Sequence, residues 1–137
     1  MTMGVDNTER ATTGFRVVKP ADRIMAPGQT AGMSREQAIE AGDMWAGIAR
    51  TAPGMISGWH HHGGWNSVLY VVAGSVRIDY GADGRSSMEA EVGDYLYIPG
   101  GEVHRESNPS TEEQVLVVVR TGSGPVLTNV DDPDLGN

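Results

Sequence analysis

Three histidines in the middle of the chain are spaced so that one metal ion could bind all of them. His60 and His62 are separated by one residue within the run Gly-Trp-His-His-His, and His104 follows much later, after a Pro-Gly-Gly turn. Successive side chains of a β-strand point to opposite faces, so in a strand His60 and His62 share a face and His61 points away. Two imidazoles in this arrangement can bind one ion, and His104 on a later strand could supply a third nitrogen.

The absence of cysteine narrows the kinds of site that this chain can build. Among its 137 residues there are 4 histidines and no cysteines, which excludes disulfides, thiolate ligands and cysteine nucleophiles. Any metal must therefore be bound by His, Asp, Glu or a neutral oxygen. A surface loop or a purification tag is the alternative interpretation of such a cluster, but its position in mid-chain between strand patterns argues against a tag.

The rest of the pattern indicates which elements must position these histidines. Short apolar stretches alternate with turn signals drawn from 19 glycines and 7 prolines. The predicted strands cover residues 44–51, 55–62, 67–72, 75–80, 86–91, 95–98, 103–107, 114–120 and 126–128. Short strands at this regular spacing predict an all-β sandwich or barrel.

The composition of the two ends predicts a single folded domain. Residues 1–14 are polar and aperiodic, which is typical of a disordered N-terminal arm. Residues 129–137 form an acidic C-terminal tail, and the domain between these ends is predicted to cover residues 15–128.

Local signals near the N-terminus predict two further elements. A short strand is expected over residues 15–19, where a proline follows, and a loop over residues 20–32. Ser34 and Gln37 fit the spacing of a capping box, which predicts a short helix over residues 34–41, and a strand is the open alternative for this segment.

Two groups of spaced residues connect this pattern with a known family. The spacing Gly-x5-Pro-x-Gly-x2-His-x3-Asn occurs at Gly93, Pro99, Gly101, His104 and Asn108. The spacing Gly-x5-His-x-His, followed by a distant glycine, occurs at Gly54, His60, His62 and Gly74. In both motifs the chain resembles the cupin superfamily, and the strand pattern extends the resemblance over residues 43–120. The first motif departs from the family at its Glu position, which Ser67 occupies.

The resemblance implies a cupin double-stranded β-helix, a jelly-roll-like all-β barrel with a metal ion in its mouth. It implies His60, His62 and His104 as the metal ligands, each at a matching motif position. Because Ser67 is a poor ligand, a three-His site is expected instead of one with three His and one Glu. The expected cofactor is one divalent transition metal ion per chain, with Fe(II) favoured and Mn, Ni or Zn also possible.

A site without a carboxylate ligand carries one more positive charge, which favours small oxygen-rich or anionic substrates that bind through two atoms. The first expectation is a metal-dependent enzyme with dioxygenase-like chemistry, since cupin dioxygenases that act on diketones or thiols are similar in lacking this Glu. Redox-neutral decarboxylase, isomerase or lyase chemistry with Mn, Ni or Zn is an open alternative. A non-catalytic cupin that binds a small molecule, and a structural fold with vestigial histidines, are two others.

Glu106 lies two positions after His104 and shares its strand face, so it is a candidate catalytic acid or base beside the metal. The alternative is a carboxylate that is paired with an arginine, such as Arg77, or exposed at the rim. Three further positions are candidate substrate contacts: Ser67 at the family's Glu position, Trp65 after two flexible glycines, and Gly58, which leaves space beside His60.

The charge balance restricts the partners of this chain. Its net charge is −8, from 18 acidic and 10 basic residues, so nucleic acid and anionic membranes are repelled. The chain does not begin with a basic and then apolar segment, and no apolar run approaches the roughly 20 residues of a membrane span. We therefore expect a cytoplasmic protein with a small-molecule substrate. The resemblance also implies a homodimer, with contacts through residues 114–119 or the N-terminal segment.

Overall fold

The computed structural model describes residues 14–26 and 31–136, and nearly all of the predicted N-terminal arm lies outside these ranges. Two short 3-10 helices, Pro20–Asp22 and Pro133–Gly136, lie near the two ends of the described chain. The strands are β1 (Ile24–Met25), β2 (Met33–Ala41), β3 (Met44–Thr51), β4 (His60–His61), β5 (Asn66–Ala73), β6 (Ser75–Tyr80), β7 (Ser86–Glu91), β8 (Tyr95–Ile98), β9 (His104–Ser107), β10 (Gln114–Thr121) and β11 (Thr128–Asn129).

The strands form two antiparallel sheets. One sheet has the order β1-β2-β3-β10-β5-β8 and the other has the order β11-β4-β9-β6-β7. Neighbouring strands within a sheet are mostly distant in sequence, because the chain crosses repeatedly from one sheet to the other. This is the two-sheet, jelly-roll-like architecture that the spacing of short strands predicts, and the predicted all-β fold is confirmed.

The core lies between the sheets and is built by alternation along the strands. In β10, Leu116 and Val118 are buried and belong to the main core cluster, which also includes Val71 of β5 and Ile78 of β6. The side chains at the alternate positions of β10 are only half-buried, so the expectation that this strand is covered on both faces holds only in part. At its C-terminal end the same inward face presents Arg120, a charged residue.

Several predicted strands have the bounds that the turn signals indicated. Residues 44–51, 75–80, 86–91 and 95–98 form β3, β6, β7 and β8. The strand predicted over residues 55–62 is much shorter, since only His60–His61 forms β4. Before it, the chain contacts β9 through an isolated bridge between Ile56 and Ser107, a hydrogen bond from Ser57 N to Glu106 O (2.8 Å) and one from Glu106 N to Ser57 Oγ (3.0 Å).

The predicted helix over residues 34–41 is wrong, because this segment is β2 and pairs along its length with β3. The pairing satisfies the backbone groups and places Arg35 and Gln37 on the inward face, where both line a cavity. Hairpin pairing with β3, across the two-residue turn at Gly42 and Asp43, outweighs the capping signal.

The predicted strand over residues 15–19 is also wrong, since these residues belong to no strand. The side chains of Phe15 and Val17 are exposed, so no apolar burial stabilises an extended pairing there. The predicted loop over residues 20–32 contains a 3-10 turn and the short strand β1, and residues 27–30 lie outside the described ranges.

Candidate metal centre

Three histidines from β4, its C-terminal flank and β9 meet inside the barrel. His60 and His104 are direct partners in the antiparallel register of β4 and β9, and His62 follows β4. The ring centroids are 4.5 Å apart for His60 and His104, 5.0 Å for His60 and His62, and 5.1 Å for His62 and His104. One potential ligand atom from each ring lies within 4.8 Å of the others.

Main-chain oxygens hold all three rings in one tautomer. The Nδ1 atom of His60 lies 2.9 Å from Gly58 O, that of His62 lies 2.7 Å from Val126 O, and that of His104 lies 2.9 Å from Glu102 O. A carbonyl oxygen can only accept, so each Nδ1 carries the hydrogen and each Nε2 keeps a free lone pair. This is how metal-binding histidines are usually oriented.

The surroundings of the rings fit a bound metal ion. Nε2 of His104 is buried and has no hydrogen-bond partner among the described residues, as expected of an atom whose partner is a metal. His61 behaves differently, because it points away from the cluster and its Nδ1 accepts a hydrogen bond from Gly63 N at 3.1 Å. The sequence prediction that His61 is not a ligand agrees with this geometry.

Burial favours the neutral form of two of the candidate ligands, His60 and His62. It lowers the pKa of His60, although the nearby Glu106 carboxylate acts in the opposite direction. It also lowers the pKa of His62 to about 4, against the effect of the Val126 hydrogen bond and with a further contribution from the positive charge of Arg120. Because a metal binds only the neutral imidazole, these shifts reduce competition from protons near neutral pH.

A cavity of about 450 Å³ reaches the histidine cluster at His62. The indoles of Trp45 and Trp65 form part of its wall, and Trp65 is anchored by a hydrogen bond from Nε1 to Gly124 O (2.8 Å). The lining residues are Ala26, Arg35, Gln37, Glu40, Gly42, Trp45, His62, Trp65, Arg120, Val126 and Leu127. Trp65, one of the candidate substrate contacts, therefore lies in the wall of this cavity.

The cavity also contains residues that the sequence prediction missed. Arg120 is buried next to the cluster and its guanidinium lies 5.2 Å from the ring centroid of Trp45. Alternation along β10 would have shown Arg120 on the inward face, two positions after Val118. Arg35 could not be found in this way, because its segment was predicted to be a helix.

Ser67, at the family's Glu position, lies opposite Arg120 in the register of β5 and β10. Its hydroxyl is buried and has no hydrogen-bond partner within residues 14–26 and 31–136. It is therefore close to the inner end of the cavity, although it does not line the cavity wall.

Glu106 and Gly58 occupy different surroundings from those first expected. Arg77 pairs with Asp79 at 2.9 Å, so the alternative in which it neutralises Glu106 is wrong. The Glu106 carboxylate is instead close enough to raise the pKa of both His60 and Arg120.

Gly58 is exposed and does not line the cavity, and its contribution to the site is the carbonyl that orients His60.

A family model described as Cupin domain matches residues 47–120, which is more than half of the chain. The chain belongs to the cupin family. The resemblance in the two histidine motifs is thereby confirmed. A comparison of this cupin with curated protein sequences gave no match.

Solved structures share the fold of this cupin at low sequence identity. KdgF from Halomonas sp. has a TM-score of 0.68 and 14% identity over 80% of this chain and 96% of that chain. An uncharacterized conserved protein with a double-stranded beta-helix domain from Klebsiella pneumoniae has a TM-score of 0.64 and 18% identity, with 76% and 89% covered. A mutant of oxalate decarboxylase OxdC from Bacillus subtilis has a TM-score of 0.65 and 18% identity over 77% of this cupin, which spans only 30% of that enzyme.

Within the described residues, no helical segment has the length and hydropathy that crossing a membrane requires.

Proposed function

We propose that this cupin is a metal-dependent enzyme that acts on a small oxygen-rich or anionic substrate at its three-histidine site. One observation carries the proposal: the three histidines have oriented Nε2 lone pairs, and they lie at a cavity that also contains Arg35 and Arg120. A divalent ion held by the three histidines would supply a Lewis acid and, with iron, a site for O2.

The protein's own residues prepare the site for an anion. The two arginine side chains raise the electrostatic potential at the inner end of the cavity. The three candidate histidine ligands add no negative charge to offset it, because Ser67 occupies the position of the family's Glu ligand. A negatively charged substrate is therefore attracted to the end of the cavity where the histidines lie.

Glu106 is the proposed acid or base. It lies two residues after His104 on β9, and its charge acts on both His60 and Arg120. A carboxylate in this position can take a proton from a substrate or return one to it. Its place beside the ligands, and not among them, leaves it free for that role.

Two reaction classes are consistent with these residues. The all-imidazole donor set leaves up to three positions of an octahedral ion open, which favours dioxygenase-like chemistry with Fe(II). The presence of Glu106 favours redox-neutral proton-transfer chemistry, such as decarboxylation, isomerisation or lyase chemistry with Mn, Ni or Zn. Mn(II) centres are present in Bacillus subtilis oxalate decarboxylase, which shares this fold.

The first experiment is elemental analysis of protein purified without added metal, alongside the His60→Ala/His104→Ala double variant. We expect about one ion per chain in the wild type and none in the variant. Oxygen uptake with the iron form, set against anaerobic turnover with the Mn, Ni and Zn forms, then distinguishes the two reaction classes. The absence of metal even after reconstitution would remove the enzymatic proposal.

Glu106→Gln tests the catalytic carboxylate separately from the metal. We expect this variant to keep its metal and to lose turnover by about 10²- to 10⁴-fold. Wild-type turnover in Glu106→Gln would remove the acid–base role. Metal loss in this variant would show that Glu106 supports the ligands instead. A non-catalytic cupin would bind its ligand without turnover in every metal form.

A further inference from the structure

The described residues contain two arginine–tryptophan stacks, and they differ in whether the arginine also forms an ion pair. The guanidinium of Arg105 lies 4.8 Å from the ring centroid of Trp59, and that of Arg120 lies 5.2 Å from the ring centroid of Trp45. Arg105 also forms an ion pair with Asp79, whose carboxylate oxygen is 2.8 Å from its Nε. Among the described residues, no carboxylate lies within ion-pair distance of Arg120.

The missing partner matters because Arg120 is the more deeply buried cation. The residue is 9% exposed, and its Nε is buried with no hydrogen-bond partner in the part of the chain that the structure describes. Burial lowers the pKa of Arg120, and only the more distant Glu106 acts in the opposite direction. A buried charge is costly unless it is paired, so stacking on Trp45 alone leaves Arg120 incompletely satisfied.

The surroundings of Arg120 indicate what an incoming partner would look like. Beyond the arginine, the cavity wall is largely apolar and includes Trp65, Val126 and Leu127. Its volume of about 450 Å³ lies within the range of small-molecule sites and is larger than a two- or three-carbon acid requires. The carboxylate of Glu40 lines the exposed rim, so an anionic group is repelled there and attracted at the inner end.

We propose that the cavity binds a carboxylate with an apolar body, its carboxylate at Arg120 and its body against Trp45 and Trp65. The substrate carboxylate takes the position relative to Arg120 that Asp79 takes relative to Arg105. Ser67 lies opposite Arg120 in register, next to this subsite, but its buried hydroxyl does not line the cavity. The placement of this substrate beside a metal rests on the proposed function, whereas the carboxylate subsite is a property of the cavity alone.

Calorimetric titration of metal-free protein tests the subsite independently of activity. The probes are 3-phenylpropanoate, acetate, and 3-phenylpropan-1-ol, which lacks the charge. We expect 3-phenylpropanoate to bind most tightly, because it alone satisfies both Arg120 and the apolar wall. Arg120→Met should weaken it by about 10- to 100-fold, the usual effect of removing a charge-assisted hydrogen bond.

Arg105→Met is the matched control, because it removes the other stacked arginine outside the cavity and should leave 3-phenylpropanoate binding unchanged. If Arg120→Met does not fold, Trp65→Ala is the second test. We expect this variant to bind 3-phenylpropanoate more weakly and acetate as the wild type does. The proposal is overturned by undetectable 3-phenylpropanoate binding at millimolar concentration, by equal binding of the alcohol or of acetate, or by wild-type binding in Arg120→Met. A protein that binds the probe but never a metal would retain the subsite and lose the proposed function.

Discussion

His62 donates its Nδ1 hydrogen to the main-chain oxygen of Val126, 2.7 Å away, although the two residues are 64 positions apart. The C-terminal segment thus orients a candidate metal ligand. Its path is tightly packed, since a Cβ atom on Gly122 would clash with the carbonyl oxygen of Gly64. Just after Val126, β11 pairs with β4, the strand that carries His60.

A chain that ends at residue 125 should bind metal about 10- to 100-fold more weakly, which is the usual effect of losing an orienting partner. A chain that ends at residue 130 is the control, because it keeps Val126, β11 and the hydrogen bond from Val130 N to Trp59 O (3.0 Å). Metal affinity measured by competition with a chelator compares the two. Equal affinities would show that the Val126 carbonyl does not matter.

His104→Ala should abolish stoichiometric metal binding, because it removes the most deeply buried of the three candidate ligands. His61→Ala should keep full occupancy, since His61 points away and serves the turn at Gly63. Metal content per chain after gel filtration is the measurement. Full occupancy in His104→Ala would contradict the ligand assignment.

The stability of the metal-free protein should fall as the pH is lowered from about 6.5 towards about 4. In this window the unfolded His62 takes up a proton that the folded one, with its pKa lowered to about 4, does not. The slope contributed by this residue is at most about 1.4 kcal/mol per pH unit. Denaturant unfolding between pH 4 and pH 6.5 measures the free energy of unfolding of the wild type and of His62→Gln. If both proteins show the same dependence on pH, the effect comes from groups other than His62.

Asn108→Ala should destabilise the fold by about 2–4 kcal/mol without altering metal affinity. The side chain is fully buried, and its amide nitrogen donates to Thr51 O (3.0 Å) and Glu112 O (2.8 Å). Its Oδ1 accepts hydrogen bonds from both the N and the Oγ of Ser110. Ser110→Ala, which removes only part of this network, should cost less in the same denaturant measurement. A change in metal affinity would point to a direct role of Asn108 in the site.

We expect a homodimer that forms through the outer face of the six-stranded sheet. This face carries the exposed side chains of Val68, Val72, Tyr95 and Tyr97. A patch of these apolar side chains is complementary to a second copy of itself about a two-fold axis. Light scattering at micromolar concentration should give twice the chain mass for wild type and for Ser87→Glu, at an exposed position of the other sheet, but a single mass for Tyr97→Glu. A monomeric wild type would refute this prediction.

Much of the site could be predicted from the sequence because strand alternation is a local rule. It placed His60 and His62 on one face and excluded His61, and the spacing of glycines and prolines located most strand ends. The motif spacing around His104 then indicated the family. Each of these inferences depends only on residue types and on distances along the chain.

Only the tertiary structure decided which other groups meet the histidines. The carbonyls of Gly58, Glu102 and Val126 orient the rings, and a main-chain oxygen has no side-chain signature in a sequence. Arg35 reaches the cavity because β2 pairs with β3 in a hairpin whose inward face packs over the site, and this packing outweighs the helix signal of the segment by itself. The position of Ser67 opposite Arg120 likewise follows from the register between strands that are far apart in the chain, and no local rule sets that register.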